Sequence, residues 1–167
     1  MADSRKSQID FANDGGIDVS EKSMNKHRLC GIISLAAAVA LELLPVGAVC
    51  CFAVAPEAGG GYIRETYSYF DPLVFGYANF GPLITAILSC VLLTLWIYGA
   101  VFESEGKYFG VMTVLSVIAL AASLFPVLLG IKFYSIIGCG ITLLMLVSGL
   151  TAGRCARVYT RGDKRTV

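Results

Sequence analysis

Charge is scarce in this sequence, and its distribution matters more than its amount. Lys, Arg, Asp and Glu make up 15% of the 167 residues, against about a quarter in a soluble globular domain. Histidine is rarer still, with His27 the one copy. The six cysteines, Cys30, Cys50, Cys51, Cys90, Cys139 and Cys155, form no C-x-x-C pair. One histidine and no such pair argue against a zinc site of the usual spacing. All six cysteines lie within or at the ends of apolar stretches, so they read as small hydrophobes and not as a disulfide framework. H-E-x-x-H, the glycine-rich phosphate loop and G-x-S-x-G are also missing. Glu42 is the one acidic residue inside an apolar block, with no second carboxylate there to make an acid pair. Neither an enzyme nor a cofactor is expected, and nothing points to nucleic acid.

What is present is hydrophobic. Apolar residues make up 56% of the chain, and mean hydropathy is +0.73. They come in four long blocks, which predict membrane helices over about 29–55, 79–102, 108–129 and 133–153. The expected fold class is all-α, an integral membrane four-helix bundle built of two αα hairpins. A polar tail over 1–28, containing Gly15-Gly16, reads as disordered. An outer loop is expected over 56–78, and a basic tail over 154–167. Helix 1 would be roughly 40 Å long and would have to tilt or protrude. Basic residues set the orientation. Lys22, Lys26 and Arg28 precede the first block, and Arg154, Arg157, Arg161, Lys164 and Arg165 follow the last. The opposite side has Arg64 and Lys132, so both termini are expected in the cytoplasm of a multi-pass cell-membrane protein.

The stretch from Tyr67 to Trp96 is aromatic and turn-rich before it becomes apolar. Asp71-Pro72 is a helix-start signal. It predicts a short helix over about 72–77, lying in the headgroup region and presenting Leu73, Phe75 and Tyr77 as a contact surface. Asn79 reads as a second N-cap, and Pro82 falls in the first turn of the next helix. The run YF-D-x-x-x-FGYANFGPLITAIL resembles that of a family of small uncharacterised bacterial membrane proteins with four transmembrane helices. The resemblance covers about residues 69–93 and, more loosely, 115–144. It implies a fold and a compartment, and no activity.

Glu42 is the candidate for chemistry. Isolated charge at membrane depth is costly, so the carboxyl must be protonated, paired or facing water. Pro45, three residues on, removes an intrahelical bond and is expected to leave the Leu41 carbonyl unpaired. Thr85, Ser123 and Thr142 are candidate partners from other helices, with Ser89 and Ser116 as further hydroxyls. The group is either a hydrogen-bonded tie or a proton or cation site. The function expected is therefore a non-enzymatic bundle, structural or partner-binding, whose outer aromatic loop engages lipid, a membrane-protein partner or a second copy. The alternative is a small proton- or cation-coupled transporter using Glu42.

Overall fold

The computed structural model describes residues 24–72, 79–102 and 107–163. In chain order these form a helix over 24–42 (α1), strands Ala48–Ala53 (β1) and Tyr62–Tyr67 (β2), and helices Gly81–Val101 (α2), Lys107–Leu129 (α3) and Ile136–Asp163 (α4). Three helices are long and apolar enough to cross a membrane: Gly81–Val101, Tyr108–Leu129 and Ile136–Thr160, with mean hydropathies of 2.1, 2.4 and 2.0. Each exceeds or matches the ~20 residues that a bilayer core requires.

Each helix buries one stripe. In α3 it is Phe109, Met112, Ser116, Ala119, Ser123 and Pro126, at alternating steps of three and four. That is the spacing of a seam between close, slightly supercoiled helices. In α1 the stripe is Gly31, Ser34, Leu35, Ala38 and Glu42. In α2 it runs Pro82, Thr85, Ala86, Ser89, Leu92 and Trp96. The buried side is rich in Gly, Ala, Ser and Thr. Large aliphatic residues such as Val111, Val114, Val117, Leu143 and Leu150 point outward. Small, hydroxylated seams with apolar exteriors are what packing in lipid selects. The seam is tight at two glycines. A Cβ on Gly31 would lie 2.6 Å from the Trp96 ring, and one on Gly81 would lie 2.8 Å from the Ala122 carbonyl oxygen. α3 packs against both α2 and α4. α1 closes the core through Leu35, Ala38 and Ile32.

The strands form a two-stranded antiparallel ribbon, in register from Ala48↔Tyr67 to Ala53↔Tyr62. Gly59, Gly60 and Gly61 make its tip with φ of 105°, 65° and 98°. Only glycine adopts three such angles in a row without strain. The ribbon leans on the turn between α3 and α4, where the Lys132 ammonium lies 5.2 Å from the Tyr62 ring centroid.

The ribbon corrects the expected all-α class and the expected first helix over 29–55. α1 stops at Glu42 because Pro45 has no N–H and its ring clashes with the preceding turn. The Leu44 N–H tightens onto the Leu41 carbonyl at 3.2 Å, so that carbonyl is paired, contrary to expectation. Beyond Gly47 the run Ala-Val-Cys-Cys-Phe-Ala has strand-compatible side chains and a partner across the glycine tip. The expected loop over 56–78 therefore contains a strand. The expected tails shorten too. Residues 24–28 already belong to α1, and α4 continues through Arg154 to Asp163, since Arg, Ala and Cys there do not break a helix. α4 starts at Ile136 rather than Phe133, because Ile131–Phe133 form a 3-10 turn. Beyond Pro72, the short helix expected over 72–77, with Leu73, Phe75 and Tyr77, lies outside the described residues, as do 1–23 and 164–167.

Candidate functional site

Polar side chains converge at the ribbon end of the helices. α1 brings Glu42 there as the last member of its buried stripe, one turn beyond Ala38. α2 meets it with Ser89, also on its buried stripe. Glu42 is 0% exposed. Ser89 Oγ lies 2.6 Å from Glu42 Oε2 and 2.9 Å from the Ala86 carbonyl oxygen. Glu42 Oε1 is buried with no hydrogen-bond partner among the described residues.

The backbone of Glu42 is engaged as well. Its carbonyl accepts the Tyr69 N–H at 3.0 Å and the Ser68 hydroxyl at 3.0 Å. One residue thus ends α1, ties it to α2, and holds the chain that returns from β2. Ser68 and Asp71 close the turn that follows. The Asp71 carboxylate accepts the Ser68 N–H at 2.6 Å, and the Asp71 N–H reaches the Ser68 carbonyl at 3.3 Å. Asp71 is thereby used as a turn residue, accepting from a residue that precedes it.

Tyr69 is the plug of this region. It is buried, and its ring lies so close to Gly47 that a Cβ there would meet it at 3.1 Å. Its hydroxyl lies 3.2 Å from where a Cβ on Gly138 would stand. Burial pushes the Tyr69 phenol above its usual pKa. Tyr134, in the turn before α4, is also raised, chiefly by burial. Both phenols keep their protons at neutral pH, and the Tyr134 hydroxyl serves as a donor.

A second cluster sits beside the first. Ser123 Oγ is 2.6 Å from Thr142 Oγ1, which is 2.5 Å from the Tyr134 hydroxyl. The Gly138 carbonyl accepts from this cluster too, lying 3.1 Å from the Tyr134 hydroxyl and 2.8 Å from Thr142 Oγ1. Ser135 links this cluster to the ribbon. Its hydroxyl donates to the Gly47 carbonyl at 2.5 Å and accepts the Gly138 N–H at 2.8 Å, which caps α4.

The candidate residues are thus divided. Glu42 meets Ser89. Thr85 turns its hydroxyl to the Gly81 carbonyl of its own helix at 2.8 Å. Ser123 and Thr142 pair with each other and with Tyr134. Pro45 lies exposed in the turn after α1. Asn79, expected to cap α2, does not; Phe80 holds that position and no side chain caps it. Asn79 is instead buried at 4% exposure, with Oδ1 unpartnered among the described residues. It lines a cavity of about 30 Å³ together with Val49, Tyr69, Asp71 and Pro82. That volume accommodates water and is far below the roughly 300 Å³ of a small-molecule pocket. Sequence reasoning missed Ser68, Tyr69, Tyr134 and Ser135 as members of the site. The stretch around Tyr69 reads as aromatic and turn-rich, and no local pattern marks one of its aromatics as a plug.

No protein family, curated protein or solved structure matches the chain.

Proposed function

We propose that the protein is a non-enzymatic, multi-pass membrane protein in which the four helices form a supporting bundle and the β-ribbon recognises a partner in or on the membrane. The observation that carries this reading is the contrast between the two strands. β1 buries Val49 and Cys50, while β2 is exposed from Tyr62 to Thr66. β2 pairs with β1 alone among the described residues. An exposed strand held by a half-buried neighbour, with its other edge open, supplies main-chain donors and acceptors to an added strand. Its exposed Tyr62 and Ile63 supply side chains for specificity.

The orientation proposed has both termini in the cytoplasm and the ribbon outside. Basic residues support it, since Lys26, Arg28, Arg154 and Arg157 lie on the termini and only Arg64 and Lys132 lie at the ribbon end. A photo-crosslinking amino acid at Ile63 tests the partner reading in native membranes. A discrete protein adduct is expected there, and not from the same group at lipid-facing Val117. Tyr62→Ser should weaken that adduct. Adducts to lipid alone at Ile63 overturn the reading.

The unpartnered Oε1 of buried Glu42 supports a second reading, a small proton- or cation-coupled transporter. Proteoliposomes test it: a proton flux lost in Glu42→Gln supports transport, and equal flux in both forms removes it.

A further inference from the structure

Toward the end opposite the ribbon, a groove of about 380 Å³ lies between α3 and α4. Thr113, Ser116 and Leu120 of α3 form one side, and Met145, Gly149 and Gly153 of α4 the other. Val117 and Leu150 stand at its rim, 61% and 56% exposed, so the groove opens toward lipid. Arg154 and Arg157 close its end. Both are exposed, and neither has a carboxylate partner among the described residues.

We propose that this groove binds one anionic phospholipid, with the phosphate between Arg154 and Arg157 and an acyl chain along the floor over Gly153 and Gly149.

Depth fits this occupant. Arg154 lies 18 residues beyond Ile136, about 27 Å along α4, close to the ~30 Å thickness of a hydrocarbon core. The guanidiniums therefore stand where phosphates stand. From Arg157 back to Met145 the groove follows 12 residues, about 18 Å, the length of an acyl chain's upper portion. The floor suits an apolar chain because its hydroxyls are already used. Thr113 donates to the Phe109 carbonyl at 2.7 Å, and Ser116 to the Met112 carbonyl at 2.7 Å. The mouth suits a phosphate because arginine offers a planar fork of donors that matches phosphate oxygens. Basic pockets between helices on the cytoplasmic side are the usual sites for such headgroups. An apolar helix or a second copy in the groove would leave both arginines without counter-charge.

Native mass spectrometry of the full-length protein in detergent tests this, with dioleoylphosphatidylglycerol and dioleoylphosphatidylcholine as the probes. The wild type should retain one phosphatidylglycerol with a preference of roughly thirtyfold over phosphatidylcholine, the effect expected of two basic residues. Arg154→Gln with Arg157→Gln should abolish the preference, while Arg161→Gln with Lys164→Gln should keep it. Gly153→Leu should lose the bound lipid with all charge intact. A Cβ there meets only the Thr113 methyl at 3.9 Å, so the added carbons enter the groove rather than the helix contact. Equal retention of both lipids by the wild type overturns the proposal. So does a Gly153→Leu protein that still retains phosphatidylglycerol, or a dimer that Gly153→Leu dissociates.

Discussion

Ser89 has one hydroxyl hydrogen and two acceptors within reach. The Ala86 carbonyl can only accept. If the serine hydrogen goes there, the 2.6 Å contact with Glu42 Oε2 needs its hydrogen from the carboxyl. A protonated Glu42 gives each contact its own hydrogen, where a carboxylate leaves them sharing one. Glutamine can donate in the same way, so Glu42→Gln should leave unfolding in mixed micelles nearly unchanged. Glu42→Leu should cost about 0.6–2 kcal/mol, the range of hydrogen bonds between membrane helices. Equal losses from Gln and Leu would show that this tie does not hold α1. Glycines give a second residue-scale test. Gly81→Ala drives a Cβ against a backbone oxygen that cannot move aside, and Gly31→Ala drives one into Trp96, whose Nε1 donates to Ser148 at 3.3 Å. Each should cost on the order of 1–3 kcal/mol. Gly99→Ala, with nothing within 4 Å, should cost nothing and gain up to about 1 kcal/mol of helix propensity. The same unfolding measurement separates the three.

At the scale of elements, the decisive event is the change from α1 to ribbon in five residues. Irregular backbone near a bilayer survives only where protein satisfies its polar groups. Here the Tyr69 N–H and the Ser68 hydroxyl take the Glu42 carbonyl, and the Ser135 hydroxyl takes the Gly47 carbonyl. These partners come from two distant parts of the chain, which is why the sequence did not disclose the change. Residues 46–55 are apolar throughout, and a short apolar run reads equally as strand or helix. Proline inside a long apolar block is also common in membrane helices; Pro126 stays within α3, while Pro45 ends α1. What was legible was the glycine tip, read as a loop and not as a hairpin turn. Tyr69 holds the seating of the ribbon. Tyr69→Ala should expose the ribbon to protease added from its own side of the membrane, while Tyr69→Phe, which keeps the ring, should not. Equal resistance in all three proteins would show that the ribbon is held elsewhere.

Across the three spanning helices, the large aliphatic side chains face outward while the buried stripes carry the hydroxyls and small residues. Of the three spanning windows, 28%, 28% and 33% is buried, so most of each helix faces outward. Composition carries this arrangement, and the three long helices were legible from it. The candidate site was legible in part. Glu42 stood out as the one acid in an apolar block, but five hydroxyls were available and nothing local ranks Ser89 above Thr85, one turn away. Only the rotation of α2 against α1 selects it. Orientation is tested on the intact cell. With the native cysteines removed, Glu57→Cys beside the glycine tip should react with an impermeant thiol reagent without lysis. Reaction only after lysis would invert the proposed orientation.

The shortness of α1 has a consequence for the lipid around it. Its apolar portion, from Leu29 to Glu42, rises about 21 Å, whereas α2 rises about 31 Å. In the four-helix membrane bundle proposed above, the protein thus offers the bilayer two hydrophobic heights. Lipid beside α2 and α3 meets a full-thickness wall, and lipid beside α1 must thin or the helix must sink. The protein should therefore carry a fixed dimple on one flank, a patch of thinned bilayer in which other short-spanned helices find matched surroundings.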